Sequence, residues 1–248
     1  MRPAHGVIVL ARLDSARLPG KALADVGGRP VLSRLLERLR VGGDGLGPIV
    51  LATTHRSVDD PLADWAAREG VRLVRHAGPV GDVARRFVDA ARDAGLAWAA
   101  RVNGDSPLVD ATLLRRALGR ALDAEQPPVD LVTNLRPRRH PYGMAVEWVR
   151  VRALSDLLPT FDEHEREHVT RGLYATLPSG RIAGLEGGDP AWADVRTVVD
   201  TAEDLDRLRR FVADHADSWP LTPARDVVAW SERARQGGAT SGRRPSPS

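Results

Sequence analysis

Three basic side chains, those of Arg12, Arg17 and Lys21, lie close together near the amino terminus, within residues 7–21, which read VIVLARLDSARLPGK. The apolar run 7–11 before them is short and rich in β-branched residues, which predicts a strand buried on both faces. Open α/β sheets bind ligands at the carboxyl ends of their strands, so three cations on a loop at such an end suit a polyphosphate. The alternative is an ordinary solvated loop.

Lys21 is the only lysine of the chain, in which lysine and arginine together number 36. So strong a bias indicates that arginine is used wherever either cation would serve. The single lysine then indicates that a compact ammonium is needed at this position, because lysine binds phosphate as a point charge and arginine as a planar fork. Chance placement in a solvated loop is the alternative.

Two aspartates follow apolar runs elsewhere in the chain. Asp105 comes after 97–102, in RVNGDSP, and Asp200 comes after 195–199, in RTVVDTAEDL. If both runs are strands parallel to the first, both carboxylates meet the cationic loop at one edge of the sheet. Two carboxylates beside a phosphate site predict bound Mg²⁺. The alternatives are a turn former for Asp105 and a helix N-cap for Asp200.

Strand-like and helix-like segments alternate along almost the whole sequence. We expect strands at about 7–11, 48–52, 71–75, 97–102, 130–133, 145–149 and 195–199. We expect helices at about 30–40, 59–70, 81–95, 112–124, 152–158, 165–177, 202–215 and 223–235. This alternation predicts an α/β fold in which helices cover a largely parallel sheet through right-handed crossovers.

The same pattern predicts the organisation of the chain. Residues 1–236 are expected to form a single domain. Within it, residues 135–183 begin with a basic, proline-broken loop and are expected to be inserted over one end of the sheet, where they hold a substrate or a second subunit. Residues 237–248 are rich in Gly, Ser and Pro, and we expect them to be disordered.

Composition excludes several classes of function. Without Arg243 and Arg244 of the tail, 34 basic residues face 33 acidic ones, so no net charge favours nucleic acid. Cysteine is absent, which excludes disulfides and thiolate metal sites. No run of eighteen apolar residues occurs, and the residues before 7–11 do not resemble a signal peptide. We therefore expect a soluble, cytoplasmic protein that binds neither nucleic acid nor a membrane.

The segment ARLDSARLPGK resembles the ARxxSxRLPGK opening of the cytidylyltransferases that activate sugars and sugar acids with CTP. It most resembles their spore-coat-polysaccharide-type branch, which is related to the CMP-sialic acid and CMP-Kdo synthetases. Further segments resemble the family in the same order along the chain, over about 7–212. They are LATTHRSVDDPLADWA, GDVARRF, NGDSPL, EREHVTRGLY and VDTAEDL. The resemblance implies a three-layer, Rossmann-like nucleotide-diphospho-sugar transferase (GT-A-like) fold with a mostly parallel mixed sheet. It also implies a homodimer.

The implied reaction is Mg²⁺-dependent nucleotidyl transfer from CTP to a sugar or sugar acid, with release of pyrophosphate. In the catalytic set that the resemblance implies, Asp105 and Asp200 bind the metal, and Arg12, Arg17 and Lys21 hold the triphosphate. The implied nucleotide-binding residues are Leu10, Ala11, Arg12, Ser15, Arg17, Lys21, Ala52, Thr53, Gly81, Asp82 and Asn103. For Gly81 and Asp82 a simple helix start is an equal alternative.

The acceptor region departs from the family pattern. Where the branch commonly reads DG-x-D-VE, Tyr142 and Ala145 stand in place of the two acids, and Arg171 replaces the proline of HVTPY. His168, beside the acids Glu163, Glu165 and Glu167, suits a metal or acid–base role, or else a solvated helix turn. The basic stretch Arg136, Arg138, Arg139 and His140 suits an acidic acceptor, or else is a mobile loop.

Other functions are also compatible with this sequence. The same chemistry with another base, or with a phosphonate acceptor, would use a similar chain, although the glycine-rich opening AGGxSxRMG of related purine-specific enzymes is absent. Loss of the two acids at Tyr142 and Ala145 is also compatible with an inactive nucleotide-binding protein. A dinucleotide-binding dehydrogenase is disfavoured because no G-x-G-x-x-G follows the first strand.

Overall fold

A seven-stranded sheet forms the centre of the protein, whose computed structural model describes residues 4–123 and 125–240, with side chains described up to residue 234. The strands are β1 (His5–Leu10), β2 (Asp25–Val26), β3 (Arg29–Pro30), β4 (Ile49–Thr54), β5 (Arg72–His76), β6 (Trp98–Asn103), β7 (Leu131–Thr133), β8 (Glu147–Arg150) and β9 (Ile182–Gly184). The main sheet has the order β5-β4-β1-β6-β8-β7-β9, and β2 pairs with β3 alone. Only β8 runs against the other strands of the main sheet. The expected mostly parallel mixed sheet is therefore confirmed.

Helices cover both faces of this sheet. They are α1 (Val31–Gly42), α2 (Asp60–Glu69), α3 (Val83–Asp93), α4 (Ala111–Leu122), α5 (Val151–Leu157), α6 (Glu163–Glu167), α7 (Arg171–Thr176), α8 (Ala202–Asp214) and α9 (Ala224–Thr240). Among the helices of the described residues, none is long and apolar enough to cross a membrane.

The central strand β1 is apolar throughout because both of its faces are covered. Val7 and Val9 belong to one apolar cluster with residues of α1, α2 and α4. Ile8 and Leu10, on the other face, belong to a second cluster with residues of α3, α5 and α7. Successive side chains of a strand point to opposite faces, so this five-residue run can be buried only between two layers of helices. The expected three-layer architecture follows.

A third apolar cluster packs α8 and α9 against β2, the start of α1 and the segment that follows β6. It includes Phe211 of α8, Trp230 of α9, Leu108 just after β6, and Val199. Burial of Val199 fixes the chain immediately before Asp200, so this cluster helps to position one of the two predicted metal ligands.

Three expectations about elements were wrong. Residues 195–199 do not form a strand of the sheet; they are an extended segment with a single bridge between Arg196 and Tyr142. The amide of Val199 bonds the carbonyl oxygen of Asp105 at 2.8 Å, a contact that lies past the last residue of β6. Strands β2, β3 and β9 were not expected, and each has only two or three residues. The helix expected at 165–177 is two short helices, α6 and α7, with the break near Thr170.

The region 135–183 contributes β8 and most of β9 to the sheet itself, and α5 and α7 pack on one face. Its expected role as an inserted acceptor or dimerisation region stays a prediction. The helix expected to end at Ala124 ends at Leu122, and Ala124 itself lies outside the described residues. Helix α9 continues to Thr240, four residues into the segment that we expected to be disordered, and the rest of that segment, 241–248, lies outside the described residues.

Candidate functional site

The cationic loop is held at the carboxyl end of β1 by a buried carboxylate. The amide of Leu13 donates to Asp59 Oδ1 at 2.7 Å, and the hydroxyl of Thr54 donates to the other oxygen of Asp59, which is fully buried. The loop then closes on itself through a 2.8 Å hydrogen bond from the amide of Gly20 to the carbonyl oxygen of Leu13. Gly20 has φ +74°, a conformation that favours glycine directly before Lys21.

Lys21 lies between the two aspartates that the sequence predicted to act together. Its Nζ is 2.7 Å from Asp105 Oδ2 and 2.7 Å from Asp200 Oδ1. The lysine side chain is 11% exposed, that of Asp105 is 27% exposed and that of Asp200 is 9% exposed. Residues separated by 84 and 179 positions in the sequence therefore converge on one ammonium group.

Asp200 reaches this position although it does not end a strand. The main chain of Val199 is bonded to that of Asp105, which brings the two carboxylates to the same end of β6. The N-cap of α8 is Thr201, which forms a capping box with Asp204. The alternative interpretation of Asp200 as an N-cap is therefore wrong, and its carboxylate is left to face Lys21.

The surroundings of Asp200 stabilise its charged form. Arg17 Nη2 lies 2.9 Å from Asp200 Oδ2, and Arg196 pairs with the same oxygen. Burial by itself raises the pKa of Asp200, but the hydrogen bond from Lys21 and the charges of Lys21 and Arg17 outweigh it, so the pKa lies below its ordinary value. The carboxylate is thus an anion across the neutral pH range, as a metal ligand must be.

The donor set suits Mg²⁺. Asp105 Oδ2 and Asp200 Oδ1 converge on a single point, at which the ammonium of Lys21 stands in for a cation. Both donors are carboxylate oxygens, which Mg²⁺ prefers together with phosphate oxygens and water. A long lysine side chain can move from the carboxylates to a phosphate, so these residues fit the ion that the sequence predicted.

An open cavity of about 570 Å³ surrounds this constellation. Of the residues that the sequence predicted for the site, it brings together Leu10, Ala11, Arg12, Ser15, Arg17, Lys21, Gly81, Asn103, Asp105 and Asp200 along the cavity wall. Arg12 is paired with Asp14 at 3.5 Å and its side chain is 45% exposed. The predicted phosphate-binding cations therefore share one cavity with the predicted metal ligands.

Three predicted nucleotide-binding residues do not line the cavity. Ala52 and Thr53 are fully buried within β4, because both faces of that strand are covered. Asp82 caps α3, where its side chain accepts from the amide of Arg85, and it also pairs with Arg166 at 2.9 Å. For Asp82 the helix-start interpretation is the one that the structure supports.

Arg86 is a site residue that the sequence interpretation missed. It lies in the segment GDVARRF, whose resemblance to the family does not distinguish this arginine from its neighbour Arg85. Its side chain is almost fully buried and lines the cavity, and its Nε has no hydrogen-bond partner among the described residues. Burial lowers the pKa of Arg86, and the nearby charge of Arg12 lowers it further. A buried guanidinium with an unused donor at a cavity wall is suited to bind an anion.

Arg101 is a second missed residue, and a buried network holds it. Arg101 Nε donates to Glu147 Oε2 at 2.7 Å, and Glu147 is fully buried. The other oxygen of Glu147 accepts from the hydroxyls of Thr170 at 2.7 Å and Tyr174 at 2.8 Å. Burial, together with the charge of Glu147, raises the pKa of Tyr174, which keeps its hydroxyl a donor. The sequence contained a signal for this residue, because Arg101 is a charged residue within an apolar strand.

Residues of the predicted acceptor region line the same cavity. Tyr142 is 46% exposed there, with the guanidinium groups of Arg138 and Arg196 at 5.5 and 5.1 Å from its ring centre. Ala145 and His168 also line the cavity. Other residues of the basic stretch lie elsewhere: Arg136 and Arg139 border a separate cavity beside β9, and His140 is buried. The stretch therefore does not act as one patch.

Comparisons of sequence match these observations to known proteins. The sequence model of a family described as cytidylyltransferase matches residues 6–159. The spore coat polysaccharide biosynthesis protein SpsF of Bacillus subtilis is 28% identical over 208 residues, which cover 82% of this chain and 83% of that protein. The 3-deoxy-manno-octulosonate cytidylyltransferase of Rhodospirillum centenum is 28% identical over 269 aligned positions, which cover 88% of this chain and 96% of that protein.

Comparisons of structure give the same fold. A cytidylyltransferase from Leptospira borgpetersenii superposes with a TM-score of 0.83 at 24% identity, over 99% of this chain and 100% of that chain. A CMP:2-keto-3-deoxy-manno-octonic acid synthetase complexed with CTP superposes with a TM-score of 0.62 at 17% identity, over 86% of this chain and 99% of that chain. At these identities the likeness concerns the fold.

Proposed function

Because the chain belongs to the cytidylyltransferase family, a family of nucleotidyltransferases, we propose that it transfers the cytidylyl group of CTP to a small anionic acceptor in a Mg²⁺-dependent reaction. The family predicted from the sequence motifs is thereby confirmed. The observation that carries the proposal is the convergence of Lys21, Asp105 and Asp200 at the carboxyl end of the central strands, beside Arg12 and Arg17. These residues supply the charges that nucleotidyl transfer requires.

In the proposed reaction an acceptor oxygen attacks the α-phosphorus of CTP in line. The new phosphorus–oxygen bond forms as the bond to pyrophosphate breaks, and the proton of the acceptor hydroxyl passes to solvent water. Such a transfer depends mainly on positioning and on neutralising charge. Arg17 and Lys21 hold the leaving pyrophosphate, and Arg12 holds the α- and β-phosphates. Asp105 and Asp200 would hold Mg²⁺, which would supply Lewis-acid polarisation of a phosphate oxygen.

The charge of the cavity supports polyanionic substrates. Its wall carries six basic side chains and three acidic ones, and the basic ones are Arg12, Arg17, Lys21, Arg86, Arg101 and Arg138. Bound Mg²⁺ would cancel much of the acidic contribution. Arg138, which lies over the ring of Tyr142 at the cavity wall, is available to the acceptor, whereas the charge of Arg101 is paired with buried Glu147. This arrangement suits a sugar acid or another acceptor with a carboxylate or phosphonate group.

Pyrophosphate release tests the proposal. The full chain is assayed with each of the four nucleoside triphosphates, Mg²⁺, and a panel of sugar acids, neutral sugars, amino sugars and phosphonates. We expect release with CTP and an anionic acceptor. Asp105→Asn and Lys21→Ala are expected to lower kcat by at least about 10²-fold, whereas the control Asp93→Asn, at an exposed ion pair with Arg72, retains the wild-type rate.

Two results would contradict the proposal. One is no release of pyrophosphate with CTP and any acceptor of the panel, which would favour an inactive nucleotide-binding protein. The other is a near-normal rate for Asp105→Asn in a folded protein. Release of pyrophosphate with a different nucleoside triphosphate would change the proposed base but keep the proposed nucleotidyl transfer. The expected homodimer stays a prediction, for which sedimentation equilibrium of the full chain is the measurement.

A further inference from the structure

The short helix α6 and its C-cap present two histidines and a glutamate on one surface. His164, Glu167 and His168 have the spacing i, i+3 and i+4, which places side chains on the same face of a helix. Their ligand atoms all lie within 4.8 Å of one another, and all three residues are exposed. The two imidazole rings meet edge to face, with their centres 4.7 Å apart.

Two of the other polar side chains of α6, those of Arg166 and Glu165, are engaged elsewhere, which fixes the orientation of the helix. Arg166 pairs with Asp82 at 2.9 Å and donates to the carbonyl oxygen of Leu158 at 2.9 Å. Glu165 forms the capping box with Asp162. The carboxylate of Glu167, by contrast, makes no ion pair or hydrogen bond within the described part of the chain. The helix is therefore anchored on one side and offers unused ligands on the other.

We propose that His164, Glu167 and His168 bind a divalent transition-metal ion, with Zn²⁺ as the best fit. Imidazole nitrogen with one carboxylate suits Zn²⁺, whereas Mg²⁺ prefers oxygen ligands. Tetrahedral bonds of about 2.0–2.1 Å place neighbouring ligand atoms about 3.3 Å apart. Small rotations of exposed side chains bring the three atoms from within 4.8 Å to that separation.

The site lies at the rim of the nucleotide cavity and is separate from the pair Asp105 and Asp200. Glu167 and His168 contribute to the wall of that cavity, and Arg166 links the same helix to Asp82 at the start of α3. Three protein ligands leave one coordination position open. A metal ion here would tie the last turn of α6 to its C-cap. This inference does not depend on the proposed cytidylyl transfer.

Titration calorimetry with Zn²⁺, and absorption spectroscopy with Co²⁺, test the site on the full chain without an affinity tag. Millimolar Mg²⁺ in the buffer occupies the carboxylate pair. We expect saturable one-to-one binding and a visible Co²⁺ absorption of a low-coordinate nitrogen–oxygen site. His164→Ala and Glu167→Gln, which each remove one of three ligands, are expected to weaken binding by at least about tenfold.

Matched controls separate this site from other histidines and acids. His55→Ala removes another exposed histidine and Glu163→Gln another exposed acid of α6, and both are expected to bind Zn²⁺ as the wild type does. Asp105→Asn is likewise expected to keep the site. The proposal is overturned if binding does not saturate, if His164→Ala binds like His55→Ala, or if Asp105→Asn abolishes binding. Circular dichroism checks that each variant is folded.

Discussion

Replacing Lys21 by methionine removes one positive charge from between two carboxylates while keeping nearly the same length of side chain. Each of Asp105 and Asp200 has an oxygen 2.7 Å from the ammonium, so these oxygens lie at most twice that distance apart. Two unit charges about 5 Å apart repel by about 3 kcal/mol at an effective dielectric constant of 20, and by less than about 1 kcal/mol in water. The free energy of unfolding should fall as a result.

The structure places the expected loss between these limits. Asp105 is partly exposed, and Asp200 keeps Arg17 and Arg196 as partners. We expect Lys21→Met to lower the free energy of unfolding at pH 7 by about 2 kcal/mol. For a chain of this size that corresponds to a fall in Tm of about 4–8 °C. Arg17→Met is the control, because its side chain is 64% exposed and an exposed pair contributes at most about 1 kcal/mol.

The pH dependence of this loss follows from the lowered pKa of Asp200. A carboxyl whose pKa is lower in the folded protein than in the unfolded chain contributes stability above the unfolded value, near 3.9. That contribution disappears as the pH falls through the folded pKa. The difference in Tm between wild type and Lys21→Met is therefore largest at neutral pH and closes below about pH 4. Mg²⁺ or Mn²⁺ should raise the Tm of the variant more than that of the wild type, because the cation replaces the lost charge.

Differential scanning calorimetry from pH 3 to pH 7, with and without Mg²⁺, measures these effects. The reasoning is refuted if the two proteins differ equally at pH 3 and pH 7, or if the difference grows on acidification. A stabilised variant at pH 7 would show that the ammonium costs more to bury than it gains from the carboxylates. An equal rise in Tm with Mg²⁺ in both proteins would show that Mg²⁺ does not bind between Asp105 and Asp200.

Three further changes probe the supports of the site by urea unfolding. Asp59→Ala leaves the amide of Leu13 without its hydrogen-bond acceptor, so the free energy of unfolding should fall by about 2–4 kcal/mol and the KM for nucleotide should rise. A change near zero would show that the loop is stable without this carboxylate. Tyr174→Phe removes a donor to buried Glu147 and should cost about 1–3 kcal/mol, whereas an unchanged midpoint would mean that water replaces it. Gly104→Ala places a Cβ 2.8 Å from Ala11 Cβ, so the free energy of unfolding should fall by about 1–3 kcal/mol. Wild-type stability would show that the ends of β1 and β6 can move apart to accommodate the methyl group.

The position of Asp200 shows how far the sequence predicted the site. It was expected to meet Asp105 because both were assigned to strand ends, but 195–199 is not part of the sheet. The aspartates meet because Val199 is bonded to the main chain beyond β6 and buried under α8, and no local pattern encodes that pairing. The capping box from Thr201 to Asp204 was visible in the sequence and would have freed Asp200 from the N-cap role.

Other residues mark the same limit. The alternation of segments predicted the layers, because apolar strands buried on both faces leave few other arrangements. Ala52 and Thr53 were assigned to the nucleotide by resemblance, which carries no information on how deeply a strand is covered. Arg86 was missed for a related reason: among 36 basic residues, its burial at the cavity wall distinguishes it, and that position is a property of the fold.

The solitary lysine makes this protein unusually convenient to label. Reductive methylation with ¹³C-formaldehyde would put dimethylamine tags on one ε-amine and on the terminal amine, so one of two resonances would report directly on the cleft that contains Lys21. Its chemical shift would follow the ammonium as it leaves the carboxylates. Occupancy of the cleft could then be followed in crude mixtures without turnover, although the dimethylated amine keeps only one of the N–H donors that face the two aspartates.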